Sequence, residues 1–551
     1  MRPPIAEATH VAHEIPHAGC LVTRHELRDV GVEMKSRHDA NHRDDEAKDP
    51  VKNSGALHKG FAGRYFGPHV RSINYALLFF ACVAFHVIGT WSIPLIDRDE
   101  PRFAEASREM IERGDYIVPR FNNHLRLDKP PLAYWAQVAS FRIFGESDFA
   151  ARFPSAIAAA LVAMSILAWG RRLGGGRVGW WAAIIFTLSL QTFLHAKAAV
   201  ADMWLVLFVT TAHWAAWEVI ETRESRIVNR STAWWWIFYV SLALGFLAKG
   251  PIAWTPLLTL VVVRFFVRDR KLAKRFKFVR GILLMLAIVA LWGIPALIQT
   301  HGEFLRIGIG RHVIGRSFSA MESHGSNSLW IYLLLLPFYS VTILASFLPW
   351  TLYTSALIKK LRLKRRENRL GDRVDTYLLC GAAIIFVIFS LIKTKLPHYT
   401  LPAFPLLALL AARHIESERF LRSAATFAIC LYLALALFAA PFAAQFFPAP
   451  QLFQKAREQI RPEMEFGAVD FQEPSLVWYF RSQAKGWMTP LNLNNAAQFM
   501  QKDGARFVIL PTSAVSKTFP DLATTWKIYS ASGFNVAKGR NVDLTLVLKP
   551  D

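Results

Sequence analysis

The densest group of reactive side chains follows directly on the first apolar run. Ile96-Asp97-Arg98-Asp99-Glu100-Pro101-Arg102 puts three carboxylates and two guanidinium groups into seven residues. Carboxylates in such a position can accept or hold a proton, with Asp99 and Glu100 as the catalytic candidates. Cations beside them, Arg102 first, can hold an anion such as phosphate through charge-assisted hydrogen bonds. The same charges also suit a solvated helix end, and Asp99-Glu100 would favour a helix N-terminus by its dipole. A second group, Leu127-Asp128-Lys129-Pro130-Pro131, is a charged pair braced by two prolines. Further polar residues stand at the ends of apolar stretches: Lys197 and Asp202, Lys249, and Lys393, Lys395, His398 and Tyr399 in KTKLPHY. Arg306, Arg311, His312, Arg316 and His324 lie in one connecting loop.

The elements that must position these groups are membrane helices. Apolar runs of the length a bilayer core demands recur at 73–95, 150–170, 178–196, 201–220, 233–248, 251–267, 279–299, 329–356, 376–392, 398–412 and 423–446, eleven spans in all. Every second loop is basic: Arg171/Arg172/Arg177, Arg223/Arg226/Arg230, Arg268 through Arg280, Lys359 through Arg369, and Arg413/Arg419/Arg422. The positive-inside rule makes these loops cytoplasmic. The N-terminus is then inside, and Asp99-Glu100, Lys129, Asp202, Lys249, Arg316, Lys393, Lys395 and Tyr399 all gather at the outer face. Ionisable residues that break the charge bias at membrane ends call for a functional reading. Within the long loop 96–149, residues 100–113 and 131–144 read as amphipathic helices in the outer interface, too short to span. From 447 the composition shifts to a small α/β domain on the outer, periplasmic side. FVIL (507–510) and LTLVL (544–548) read as buried strands, and PSLVWYF (474–480) and AAQFMQ (496–501) as helices.

Composition narrows the classes. The net charge is +23, but the basic residues sit between apolar spans, which excludes nucleic acid as the partner. The four cysteines, Cys20, Cys82, Cys380 and Cys430, form no metal-ligand pair or disulfide framework. Residues 1–68 are polar and read as a disordered cytoplasmic tail, with Met34 as an alternative start. Asp97-Arg98-Asp99 spells DxD, a pattern that often holds a divalent metal in nucleotide-sugar enzymes. Nucleotide sugars are cytoplasmic, so a sugar donor at the outer face would instead be carried on a lipid phosphate.

The run DEPRFAEASREM…GDYIVPRF…LDKPPLAYW resembles the first periplasmic loop of bacterial GT-C glycosyltransferases. The likeness is to the lipid A aminoarabinose transferases within the protein-mannosyltransferase-like superfamily. It continues through Asp202, AKG at 248–250 and KTKLPHYTLPAFP at 393–405, and covers about 73–412. The resemblance implies a polytopic α-helical GT-C-like membrane domain over 69–446, in a bacterial inner membrane with its active site facing the periplasm. It implies that Asp99 is the key carboxylate, with Glu100 beside it, that Arg102 is a site cation, that Lys129 and Lys395 contact the donor phosphate, and that Tyr399 gates the cavity. Asp128 and His312 match positions that hold zinc in that family. This chain has Asp128 where Glu is usual and Arg98 where Pro is common. On spacing alone zinc would not be expected, since such sites take at least three protein ligands.

The expected activity is transfer of a sugar from a polyprenyl (undecaprenyl) phosphate to lipid A or another cell-envelope acceptor. Lys129, Lys395 and Arg316 would stabilise the leaving phosphate, and Asp99 would act as general base or position the acceptor. A protein acceptor is an alternative. So is a flippase for lipid-linked sugars, although such transporters tend to show internal repeats with broken helices at the midplane, and none is visible here.

Overall fold

The computed structural model describes residues 72–221, 228–267, 272–315, 328–356, 358–359, 372–521 and 523–550. The tail 1–68, with Met34, lies outside this set, as do Arg316 and His324.

Helix occupies part of every predicted apolar stretch. Five helices are long and apolar enough to cross a membrane among the described residues: Asp148–Thr187, Asp202–Glu221, Ala273–Gln299, Arg373–Leu391 and Glu418–Ala444. Two predicted spans are the arms of one kinked element, Asp148–Thr187, which breaks at Gly174 and at Gly175, where φ is +83°. Only glycine takes that conformation without strain. The arms touch backbone to backbone, because a Cβ on Gly170 would lie 2.8 Å from the Gly179 Cα. Small residues permit such close helix approach in membranes. Other predicted spans are cut short by proline, which lacks an N–H and clashes with the preceding turn. Pro251 follows the end of Val228–Lys249, and Pro337 and Pro349 divide 329–356 into short helices. Pro397 opens the 3₁₀ segment Pro397–Ala403 ahead of Phe404–His414.

The loop after the first helix, Ser72–Val87, folds into Asp99–Arg113, a short hairpin and Leu132–Phe144. The hairpin pairs β1 (Arg120–Phe121) with β2 (His124–Leu125) through Asn122 and Asn123, both at positive φ. The C-terminal sheet has five strands: β3 (Glu465–Val469), β4 (Met488–Leu491), β5 (Arg506–Pro511), β6 (Lys527–Asn535) and β7 (Arg540–Lys549), in the order β4-β3-β5-β7-β6. β3 pairs parallel with β4 and β5, and β7 pairs antiparallel with β5 and β6. The predicted strands fall in β5 and β7, where Ile509 opposes Leu546. The predicted helices are Pro474–Phe480 and Leu493–Gln501.

One expectation is overturned. An interfacial amphipathic helix over 100–113 is expected to carry Phe103, Ala106, Met110 and Ile111 on one face and its charges on the other. The apolar side does pack on Ala133 and Tyr134. The opposite side is buried as well, with Glu105, Arg108 and Glu109 all inaccessible. The C-terminal domain covers it. Arg481 pairs with Glu105, lies 2.7 Å from Glu112 and 3.9 Å from Glu109, and stacks 3.9 Å from the Trp487 ring. Arg108 bonds Glu105 and Glu146 and donates to the Trp478 carbonyl at 2.9 Å, over whose ring it sits. Asn122 both donates to and accepts from the Met488 backbone, each at 2.8 Å, so the hairpin extends to the edge strand β4. A charged helix face is buried only because an opposing set of charges and donors meets it.

Two predictions follow from this interface. Arg481→Met leaves Glu105 buried beside unneutralised acids, and thermal melting in detergent should register a loss of about 3–5 kcal/mol; melting unchanged from wild type would refute the assignment. Burial, then the neighbouring Glu105, pushes the Glu109 carboxyl from 4.5 up to about 7. The folded state therefore binds this proton more tightly than the unfolded chain. Its contribution is fully present below about 4.5 and is lost as pH rises through about 7. The melting temperature should fall between pH 5 and pH 8, and Glu109→Gln should flatten that slope.

Candidate active site

The entry to Asp99–Arg113 is held from several sides. The Leu95 N–H donates to the Tyr479 hydroxyl at 3.0 Å. Asp97 accepts from the Ser475 N–H at 2.9 Å and from its hydroxyl at 2.5 Å. Glu100 is buried and uses both carboxylate oxygens twice, accepting from Arg152 Nε at 2.9 Å and Nη2 at 2.7 Å, from Ile96 N at 2.8 Å and from Ala199 N at 2.7 Å. With its lone pairs so engaged, Glu100 is a brace, and Asp99 is the accessible carboxylate of the expected pair. Asp99 is exposed, at the first turn of its helix. Its charge acts on Arg126 and Tyr134. Burial works against the Arg126 charge, but Asp128, Tyr134 and Asp99 hold its pKa above the usual guanidinium value. Burial likewise pushes the Tyr134 hydroxyl up.

Beside this loop lies a cavity of about 560 Å³. Its polar end is formed by Lys129, Asp202, Lys249, Thr394, His398 and Tyr399, and its walls by apolar side chains such as Leu205, Ile252, Leu258 and Ile388. Asp202 opens the helix Asp202–Glu221, and Lys249 closes Val228–Lys249 ahead of Gly250, which turns the chain at φ +83°. A carboxylate at a helix N-terminus and an ammonium at a C-terminus are each favoured by the dipole. The two meet at 2.5 Å. Lys249 also lies 5.6 Å from the Tyr399 ring. Lys129 reaches the cavity from the run Arg126-Leu127-Asp128-Lys129, where Asp128 stands 3.4 Å from Arg126 and 3.8 Å from Lys129.

Four predicted residues thus converge: Lys129, Asp202, Lys249 and Tyr399. Others do not. Lys395 is buried and donates to the carbonyls of Phe389 at 3.0 Å and Ser390 at 2.6 Å, so it caps the helix Arg373–Leu391. Lys197 does the same for the first helix, through the carbonyls of Phe85, His86 and Ile88. Lys393 is half-buried and is not among the cavity-lining residues; Arg102 is half-buried and acts on Asp97. Arg316 lies outside the described residues, and His312 falls on the helical segment Phe304–Gly315 with its side chain outside that set.

The zinc expected from the resemblance does not fit Asp128, whose carboxylate is flanked by two cations. Among the described residues, one set has metal-ligand spacing: His195, Asp202 and His398, with ligand atoms within 4.8 Å of one another. There Lys249 already supplies the positive charge to Asp202, and His195 Nδ1 bonds the Gln191 amide nitrogen at 2.9 Å. The sequence motifs single out neither Thr394 nor Arg126, and they give His398 no role beyond its place in KTKLPHY. The signal for Arg126 was its place in the charged run before Pro130-Pro131.

Long apolar helices, two loop helices beside a cavity and an appended α/β domain define a polytopic helical membrane protein with the GT-C glycosyltransferase fold. The crystal structure of ArnT from Cupriavidus metallidurans bound to undecaprenyl phosphate superposes with a TM-score of 0.69 at 19% identity, over 87% of this chain and 98% of that one. Residues 128–294 match the family described as dolichyl-phosphate-mannose-protein mannosyltransferase. Undecaprenyl phosphate-α-4-amino-4-deoxy-L-arabinose arabinosyl transferases of Edwardsiella ictaluri and Sodalis glossinidius are 30% and 33% identical over 58% and 57% of this chain. The chain spans 55% of the length of each. The resemblance carried by the sequence motifs is therefore found again in these relatives and in the fold.

Purified protein should hold no stoichiometric zinc by elemental analysis, and Asp128→Asn should leave its metal content unchanged. Near-unit zinc that disappears in Asp128→Asn would restore the metal reading.

Proposed function

We propose that this chain transfers a sugar from a polyprenyl (undecaprenyl-type) phosphate to a cell-envelope acceptor of the lipid A kind, at the periplasmic face of a bacterial inner membrane. The observation that carries the reading is the cavity itself: Lys129 and Lys249 at its polar end, apolar walls behind them, and exposed Asp99 on the adjoining loop. Such a site suits an anionic headgroup on an apolar tail. The arabinosyl transferases similar in sequence, and the ArnT structure bound to undecaprenyl phosphate, support the same donor class. The alternation of basic loops supports an eleven-span arrangement with this end outside.

In this reaction the sugar C1–O bond to the phosphate breaks as the acceptor oxygen bonds C1. The electron pair goes to the lipid phosphate, whose added charge Lys129 and Lys249 stabilise; preorganised cations of this kind usually contribute most to catalysis. Asp99 takes the acceptor proton or, where the acceptor is itself a phosphate, orients it. Asp202 holds Lys249 extended toward the headgroup, and Glu100 fixes the loop on which Asp99 stands.

The test uses protein in lipid nanodiscs with radiolabelled undecaprenyl-phosphate sugars and lipid A. Asp99→Asn should lower kcat about 10²- to 10⁴-fold, and Lys129→Met and Lys249→Met about 10²- to 10³-fold. Full turnover by Asp99→Asn would remove its assigned role. Movement of the labelled lipid across the bilayer without transfer would favour a flippase.

A further inference from the structure

The first aspartate of DxD, Asp97, has no part in the reaction just proposed, yet it is half-buried and spends both carboxylate oxygens on one residue of the C-terminal domain. That residue, Ser475, lies in the first turn of Pro474–Phe480. The same helix grips the first loop at further points. Trp478 Nε1 and the Tyr479 hydroxyl each donate to Asp148 at 2.7 Å. Tyr479 also accepts from Leu95 N, and the Trp478 carbonyl accepts from Arg108. Positions 475, 478 and 479 share one helical face. The loop is thus fastened to this helix at Leu95 and Asp97, and to the membrane helices by Glu100 through Arg152 and Ala199. Asp99 is the exposed carboxylate between these two anchorages.

We infer that the C-terminal domain sets the position of Asp99, with Asp97 as the positioning residue it grips through Ser475. This assigns the α/β domain a task in the reaction itself, and it assigns the DxD pattern to a contact between domains in place of a metal. The inference rests on the sugar-transfer reading for its kinetic effect, but not for its structural one. A general base displaced by about 1 Å costs roughly 10²-fold in rate, whereas donor affinity, which depends on Lys129 and Lys249, does not involve Asp97.

The full-length protein in nanodiscs supplies the test. Asp97→Ala should lower kcat about tenfold or more while the KM for the undecaprenyl-phosphate sugar stays within about twofold. Asp97→Asn, which keeps an acceptor for the Ser475 N–H, should recover part of the loss. Ser475→Ala should lower kcat less, and the double variant should match Asp97→Ala alone, because both changes remove one contact. Hydrogen exchange at residues 96–99 should quicken in Asp97→Ala and in Ser475→Ala. A wild-type kcat in Asp97→Ala, strictly additive losses in the double variant, or a raised donor KM would each overturn the inference. If the wild type transfers no sugar, or Asp99→Asn is fully active, the transfer reading fails on its own. The exchange experiment then decides the clasp separately: unchanged exchange in both variants rejects it.

Discussion

The end of the molecule that carries the loop helices depends on one buried ion pair, Glu100 with Arg152. Arg152 projects from the long kinked helix and donates to the carbonyls of Thr90, Ile93 and Pro94, three groups left without helical partners when the first helix ends. Glu100 gathers the amides of Ile96 and Ala199 from the other side. Two side chains therefore tie together the exit of the first helix, the start of the loop helix and the turn that leads into Asp202. Buried charges are costly unless paired and fully hydrogen-bonded, and here nearly every donor and acceptor is used. Take either partner away and the other is a bare charge at the point where all three segments meet.

Much of the site was legible because membrane sequences carry charge sparingly. Lys129, Asp202, Lys249 and Tyr399 stood out at the ends of apolar runs, and helix direction brought them together. The same logic misread Lys395 and Lys197. A lysine at the end of a helix can bind a phosphate or cap the last carbonyls, and only the folded chain separates the two. Glu100 was indistinguishable from Asp99 by type and position. Its partner Arg152 lies 52 residues away inside an apolar helix, and nothing local links them.

The fold showed a similar division. The α/β domain emerged from its short apolar strands and the membrane domain from run length. The number of helices long enough to cross did not, because Gly174-Gly175 and the prolines at 251, 337, 349 and 397 reshape continuous apolar stretches into bent or broken elements. The charged side of Asp99–Arg113 was visible as periodicity, but its cover was not. Arg481 is separated from Glu105 by 376 residues, and a pattern that repeats every few positions carries no information at that range.

The contact of Lys249 with Asp202 bears on the charge of the cavity itself. A lone ammonium in a pocket with apolar walls would be forced to lose its proton, to draw in water or to collapse the walls around it. Here the counter-charge is built in at the head of the preceding helix, Asp202–Glu221, so the ammonium keeps its proton without help from water. Any anion that enters competes for a lysine that already has a partner. The charge balance of the pocket is thus a property of two helix termini.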